Sequence, residues 1–308
     1  MEGAPRIELK LLRTILAVAR HQSYTRAAEE LALTQPAVSM HVRRLEAALG
    51  VALVELIGHR ARLTAAGELL AREGTRLLAD AHHLESQLEQ LARGGSGRLR
   101  VGASSTPGTY LLPLVLARLL SVMPKLEVSC TLDRTLPIEE MLLEGALDCA
   151  LVGGHLASRD LTREDWVADE VVLVAGRTHP LAARAGGQPL TRRELESTPW
   201  VFHSAGSATR QCLEAWLATK QVEPRIAMEL SSVEAVKGMV AAGMGIAGVS
   251  RFALAPGSAL VTLPAAGTTL RRNLAILYHP AKSRCPMVKS FREAAHHLAP
   301  TLKATRGN

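Results

Sequence analysis

The stretch SYTRAAEELALTQPAVSMHVRRLEAALG, Ser23 to Gly50, carries two helical patterns joined by a short turn. Ser23 is placed to cap a first helix whose small apolar face is Ala27, Ala28 and Leu31, because a hydroxyl there accepts from an orphan backbone N–H. Leu33 closes the turn, Thr34 caps a second helix, and Pro36 falls in its first turn, where a fixed φ helps and a missing N–H costs nothing. Gly50 ends that helix. Val38, Val42, Leu45 and Leu49 recur at steps of four and three, so they share one face and turn inward. Gln35, Ser39, Met40 and Arg43 then face outward. This is the pattern of a helix-turn-helix, whose second helix enters the major groove with its N-terminal residues at base edges. Gln and Arg make paired hydrogen bonds to adenine and guanine, Ser39 suits base or phosphate, and Met40 offers apolar contact alone. An ordinary helical hairpin with a solvated outer face satisfies the same pattern, so the flanking chain has to decide.

N-terminal to this stretch, Ile7 to Arg20 reads as a helix with Leu12, Ile15, Leu16 and Ala19 on one stripe, fit to pack under the pair. After Gly50, VALVELIGHRARLT alternates apolar and polar residues around Gly58, as a hairpin or wing would. His59, Arg60 and Arg62 fall near its tip, where cations contact phosphate without reading sequence. From Gln35 to Arg62 the cations Arg43, Arg44, Arg60 and Arg62 face only Glu46 and Glu55, a balance that agrees with DNA. The expected DNA contacts are Ser23, Thr25, Thr34, Gln35, Pro36, Ser39, Met40, Arg43, His59 and Arg60, in a domain spanning 6–64. A long helix follows over 65–93, with Leu70, Leu77, Leu84 and Leu91 every seven residues and Gly74, Ala81 and Leu88 between them. That is a coiled-coil seam for a homodimer, with Gly74 and Ala81 small enough to admit a partner helix; packing on its own domain would give the same repeat. Gly94, Gly95, Ser96 and Gly97 make a hinge.

From Arg98 the period changes. RLRVGAS reads as a strand, Pro107 to Met123 as a helix, LEVSCTLD as a strand, Ile138 to Leu147 as a helix and DCALVGG as a strand, which predicts βαβαβ and a parallel sheet. After Val171 to Ala175 a second round follows: WVFH, a helix over Ser207 to Lys220, RIAMEL, a helix over Val233 to Ala242, and GIAGVS. LRRNLAILY returns as a strand before a closing helix to about Leu298. The simplest arrangement is a domain over 98–300 with two α/β lobes joined by two crossings, one lobe near 98–168 and 268–300, the other near 169–267.

Composition narrows the class. With 47% hydrophobic and 21% charged residues the 308-residue chain is a folded protein of more than one domain, and its net charge of +7 favours polyanionic partners or anionic ligands. Cys130, Cys149, Cys212 and Cys285 are far apart, with no CxxC pair, so neither a metal site nor a disulfide framework is expected. Arg6, Glu8, Lys10, Arg13 and Arg20 interrupt any secretory signal, and the apolar stretch Met239 to Val249 is too short to span a bilayer, which predicts a cytoplasmic protein without a membrane partner. GMGIAG, Gly243 to Gly248, satisfies GxGxxG but leaves a helix and enters a strand, the reverse of a dinucleotide turn. No HExxH, Walker or GxSxG motif is present, so no catalytic residue and no cofactor is expected.

These residues together resemble a LysR-type transcriptional regulator along nearly the whole chain: the opening stretch and RARLTAAG, then VGASSTPGTYLLP, LLEGALDCALVGG, GSATR and SSVEAVKGMVAAGMGIAGVS. VGASSTPGTYLLP looks most like the branch that contains Calvin-cycle regulators. The resemblance implies an all-α winged helix-turn-helix, a dimerising linker helix and an α/β periplasmic-binding-protein-like effector domain. It also implies assembly as a homodimer or homotetramer on promoter DNA, with RNA polymerase as a further partner. The chain departs from the family at Val54 and Leu56, where an aromatic residue and an arginine are usual, and at Met40, commonly basic or polar.

Hydroxyls cluster where helices of the effector domain begin: Ser104, Ser105 and Thr106; Ser207 and Thr209; Ser231 and Ser232. In a two-lobed α/β domain such ends gather at the cleft, where free N–H groups and helix dipoles favour an anion. Each hydroxyl could instead merely cap its own helix. The expected effector is a small carboxylate or phosphorylated metabolite, with Arg210 or His203 as auxiliary donors. A thiol redox sensor working through Cys212 is the alternative within the same class. A free-standing solute-binding protein is disfavoured, since it would carry a signal and no DNA reader.

Overall fold

The computed structural model of the chain describes residues 7–58, 60–92, 97–154, 156–255, 257–265 and 270–304. Contacts divide it into two units, one reaching Glu85 and taking in Leu143–Gly145, the other made of the remainder from Ser86.

The first unit runs α1 (Leu9–His21), α2 (Tyr24–Glu30), α3 (Gln35–Leu49), β1 (Val54–Ile57), β2 (Arg60–Leu63) and the start of α4 (Ala65–Ala92). Ser23 Oγ accepts from Arg26 N and Thr34 Oγ1 from Ala37 N, each at 3.4 Å, so both predicted caps form. Gly50 ends α3 in the left-handed region at φ +74°, a conformation that costs glycine no Cβ clash. Leu12, Ile15, Ala27, Val38, Val42 and Leu45 form one buried core. Apolar periodicity alone passes over His41, which is buried on the inner side of α3 and hydrogen-bonded through Nδ1 to Thr14 Oγ1 at 2.9 Å. The Glu46 carboxylate accepts from Leu53 N at 2.7 Å and Val54 N at 3.2 Å, which ties the wing to α3. Val54 pairs with Leu63 and packs on the core, while Leu56 is left exposed.

The expected role of Gly74 changes. A Cβ there would lie 2.4 Å from Leu12 Cδ1, so the small residue admits α1 of its own domain and not a partner helix. Leu70 likewise packs on the domain core. Leu77, Leu84 and Leu88 remain exposed along α4; the side chain of Leu91 and the hinge residues Gly94, Gly95 and Ser96 lie outside the described residues.

The second unit opens with β3 (Arg98–Ala103), α5 (Ser105–Tyr110), α6 (Leu112–Val122), β4 (Glu127–Leu132), α7 (Thr135–Leu143) and β5 (Cys149–Gly153). It continues through β6 (Thr162–Gly176), α8 (Arg192–Ser197), β7 (Pro199–His203), α9 (Ala208–Thr219), β8 (Arg225–Leu230) and α10 (Val233–Ala241). β9 (Ile246–Ser250), β10 (Leu260–Leu263), β11 (Leu270–Tyr278) and α11 (Pro286–Ala304) complete it. The sheet order is β4-β3-β5-β11-β6-β9-β7-β8, with β10 on β6. The parallel βαβαβ expected from Arg98 forms, but the strands that follow make the sheet as a whole mixed. β3 lies parallel to β4 and β5, and β7 to β8 and β9, but β6 and β11 run antiparallel to each other and to β9 and β5 respectively. A fully buried apolar strand carries no mark of its direction, so the sequence pattern could not distinguish these crossings. The helix expected over Pro107 to Met123 is broken at Leu111, because Pro113 in the first turn of α6 has no N–H to return. The helix expected over Ile138 to Leu147 starts earlier and stops at Leu143, and the closing helix continues past Leu298 to Ala304.

Two polar groups within this unit matter for stability. Asp148 accepts from Arg100 N at 2.7 Å, pairs with the Arg100 guanidinium at 3.0 Å and with the fully buried Lys282 ammonium. Burial pushes the Asp148 carboxyl up, but the hydrogen bonds and charges of Arg100 and Lys282 outweigh it and leave the group below its ordinary range. Replacing Asp148 by Ala strands the Lys282 charge and is expected to cost about 3–5 kcal/mol in urea unfolding. Lys282→Met leaves Asp148 its Arg100 partner and costs less.

His203, at the end of β7, is 4% exposed. Burial first, and the nearby Arg272 charge second, lower its pKa from 6.5 to about 4, against a hydrogen bond to the Gly248 backbone that favours the cation. Between those values the unfolded imidazole binds a proton that the folded one refuses, so stability is full above the unfolded value and falls as pH drops toward the folded one. The loss amounts to about 3 kcal/mol. Unfolding of a His203→Gln variant should lack this acid slope.

Candidate DNA-reading face and ligand cleft

On the exposed side of α3, Gln35, Pro36, Ser39, Met40, Arg43 and Arg44 line one shallow groove. The sequence reading anticipates all but Arg44, whose guanidinium is held 2.6 Å from the Glu8 carboxylate. Thr34 and Thr25 are exposed at the starts of α3 and α2, and Ser23 is half-buried. As caps, Ser23 and Thr34 spend an acceptor on backbone N–H and keep a hydroxyl proton to donate. Arg60 is exposed on β2 opposite Ile57; His59 lies outside the described residues.

In the second unit the predicted hydroxyl clusters do converge. Ser104, Ser105 and Thr106 at the start of α5, Ser207 and Thr209 at α9, and Ser231 and Ser232 at α10 line one cavity of about 650 Å³. Ser207 and Ser232 accept from Arg210 N at 3.5 Å and Ala235 N at 3.4 Å, so these two hydroxyls both cap and face the cavity, whereas Ser104 Oγ makes no cap bond and accepts instead from Gly153 N on β5 at 3.1 Å.

Its cations are not those expected from the sequence. Arg210 is committed elsewhere: it bonds Glu214 at 2.6 Å and Glu229 at 2.8 Å, donates to the His203 carbonyl at 3.1 Å and lies over the Phe202 ring. The hydrogen bonds that it donates to Glu214 and Glu229 push its pKa up. His203 is buried and neutral near pH 7, and its Nε2 has no hydrogen-bond partner among the described residues, so it brings no charge to an anion. Neither residue lines the cavity. Arg272 and Arg134 do, and the sequence reading passes over both. Arg272 donates to Asp169 Oδ2 at 2.8 Å and to Thr106 Oγ1 at 3.2 Å; Asp169 is fully buried and also accepts from Ser250 Oγ at 2.7 Å. Arg134 is exposed and reaches the Ala205 carbonyl at 3.5 Å. The available signal for Arg272 was two consecutive arginines in LRRNLAILY, an otherwise apolar strand.

At the edge of the cavity the Tyr110 hydroxyl on α5 donates to Glu234 on α10, and Lys237 pairs with Glu234 at 3.0 Å. Burial first, and the Glu234 hydrogen bond and charge next, push the Tyr110 hydroxyl far above its ordinary value. The cysteines offer little to a redox mechanism. Burial pushes the thiols of Cys130, Cys149 and Cys212 up, away from the reactive thiolate.

Comparisons with known proteins give the family. Residues 9–68 match the model for the bacterial regulatory helix-turn-helix protein, lysR family, and residues 92–299 match the LysR substrate binding domain. A probable RuBisCO transcriptional regulator of Trieres chinensis is 33% identical over 292 residues, 92% of this chain and 94% of that protein. A full-length OxyR variant from Pseudomonas aeruginosa is 25% identical with a TM-score of 0.62, covering 95% of each chain. The CcmR regulatory domain of Synechocystis PCC6803, in complex with 2-PG, is 24% identical with a TM-score of 0.60 and covers 66% of this chain and 97% of that one. Among the described residues no helix is long and apolar enough to cross a membrane. With a capped reading helix and wing in its first unit and a hydroxyl-lined cleft in the two-halved sheet of its second, the chain belongs to the LysR family of helix-turn-helix transcriptional regulators.

Proposed function

We propose that this regulator reads promoter DNA through Gln35, Ser39 and Arg43 on α3, with Arg60 on the wing as a phosphate contact, and that a small anion in the cleft controls it. The observation that carries the second half is the convergence on one cavity of three helix starts and of Arg272, which keeps N–H donors beyond its pair with Asp169. Several unspent hydroxyl protons and two guanidinium groups suit a carboxylate or phosphate far better than a neutral solute. The complex of the CcmR regulatory domain with 2-PG supports an effector of this class. Because the cavity is lined from both halves of the sheet, its occupant binds open and closed arrangements differently, which is the condition for shifting between them. Exposed Leu77, Leu84 and Leu88 on α4 supply a stripe for a second copy, whose symmetry would place two α3 helices on two half-sites. The promoter-bound oligomer acts by binding and not by catalysis, with RNA polymerase as the machinery it influences.

Two measurements check these assignments. Gln35→Ala is expected to weaken binding to a selected operator by about 1–3 kcal/mol while leaving non-specific DNA affinity unchanged; unchanged operator affinity removes α3 as the reader. In thermal-shift titrations against a panel of phosphorylated and carboxylate metabolites that includes 2-PG, saturation at a hundred times Kd should stabilise the protein by about 2.7 kcal/mol. Ser104→Ala and Arg134→Gln should each shrink that shift. A panel without any shift would defeat the anion assignment.

A further inference from the structure

We infer that Met40 is a thymine reader: its side chain contacts the C5-methyl group of one thymine in each half-site and so sets a base preference that the polar residues around it cannot. The inference rests on the assignment of the α3 groove as the DNA-reading face. Met40 is 61% exposed, and it sits among Gln35, Pro36, Ser39, Arg43 and Arg44 in the lining of that groove. Single exposed apolar side chains are ordinary on a protein surface. This one is placed one turn beyond Pro36 and one turn before Arg43 and Arg44, in a strip whose other members, Pro36 apart, are polar or cationic.

Base edges in the major groove present mostly donors and acceptors, and the thymine methyl is the one bulky apolar group among them. A thioether donates nothing and accepts poorly, so among these edges it gains most from that methyl. An unbranched side chain with three rotatable bonds can also settle on a methyl without fixing the backbone as tightly as a bidentate pair demands. Opposite any other base Met40 would cover polar edge atoms and leave them unsatisfied, which converts a weak attraction into discrimination.

The test begins with operators selected by the full-length protein from a randomised duplex library, followed by single replacement of each thymine by deoxyuridine, which removes only the methyl. The expected result is one thymine per half-site whose replacement weakens wild-type binding about fourfold, the worth of one buried methyl at ~0.8 kcal/mol. Met40→Ala should bind the thymine and deoxyuridine duplexes equally at that position, and Met40→Arg should move the preference there toward guanine. If deoxyuridine is neutral everywhere for wild type while Gln35→Ala still weakens binding, the reading face stands and the Met40 proposal falls. A methyl effect that persists in Met40→Ala assigns the contact to Pro36 or another residue and also overturns it. If none of Gln35→Ala, Ser39→Ala and Met40→Ala alters affinity, the reading face itself is wrong.

Discussion

The Arg272 to Asp169 pair lies where the two long strands β6 and β11 face one another, with the two residues directly opposite in the ladder. Asp169 is fully buried and the Arg272 side chain nearly so, and burying a carboxylate there is tolerable only because Arg272 and Ser250 satisfy it. Those strands belong to both halves of the sheet, β11 bonding β5 on one side and β6 bonding β9 on the other. The pair therefore stitches the halves together and, through its remaining donors, charges the cleft between them. A ligand anion reaching Arg272 would compete with or add to Asp169 at the residue that holds the crossing.

The rest of the cleft follows a division of labour among charges. Arg210 and His203 stand near the α9 start, yet one is balanced by Glu214 and Glu229 and the other is held neutral by burial. Their local charge is spent on the frame. Glu234 would repel an anion at the α10 start, but Lys237 and the Tyr110 hydroxyl offset it, and the Tyr110 contact reaches from α5 across the cavity edge. The other polar side chains of the lining are the hydroxyls, Arg134, the outer face of Arg272 and Asp133, whose carboxylate accepts from Arg134 N at 2.7 Å. The proposed anion would have to be small enough to sit among the helix starts.

How much of this can be read from residues alone depends on the range of the interaction. Caps at Ser23 and Thr34, the inner face of α3 and the three hydroxyl clusters are local patterns, and they appear where the spacing puts them. Arg272 escapes because its meaning comes from a strand partner more than a hundred positions away, and neither residue looks unusual in isolation. His41 escapes because a polar residue next to the reading face looks solvated until Thr14 on α1 is seen beside it. Gly74 misleads for the same reason, since a helix's own domain and a second copy ask for the same small residue. The crossover helices give away the direction of β3 to β5, but that of β6 and β11 is illegible, because burial erases the alternation that separates one sheet from another.

One copy of α3 cannot supply a regulator's specificity. Its groove offers two side chains able to make bidentate base contacts, Gln35 and Arg43, worth about 1–3 kcal/mol each. Specific protein–DNA binding exceeds non-specific binding by about 4–10 kcal/mol, so a single reader reaches at best the lower part of that range. Doubling the reader brings the sum into it without any new contact type. Doubling also requires a rigid link between the copies, and α4 has the means: its first half is locked to α1 through Gly74 and Leu70, while Leu77, Leu84 and Leu88 further along are exposed among the described residues. The Glu46 carboxylate holds the wing to the same α3, which fixes the distance between base-reading and phosphate-contacting groups within each copy. The stripe of uncovered leucines and the small reading face are thus two sides of one constraint: what each copy lacks in contacts has to come from its partner.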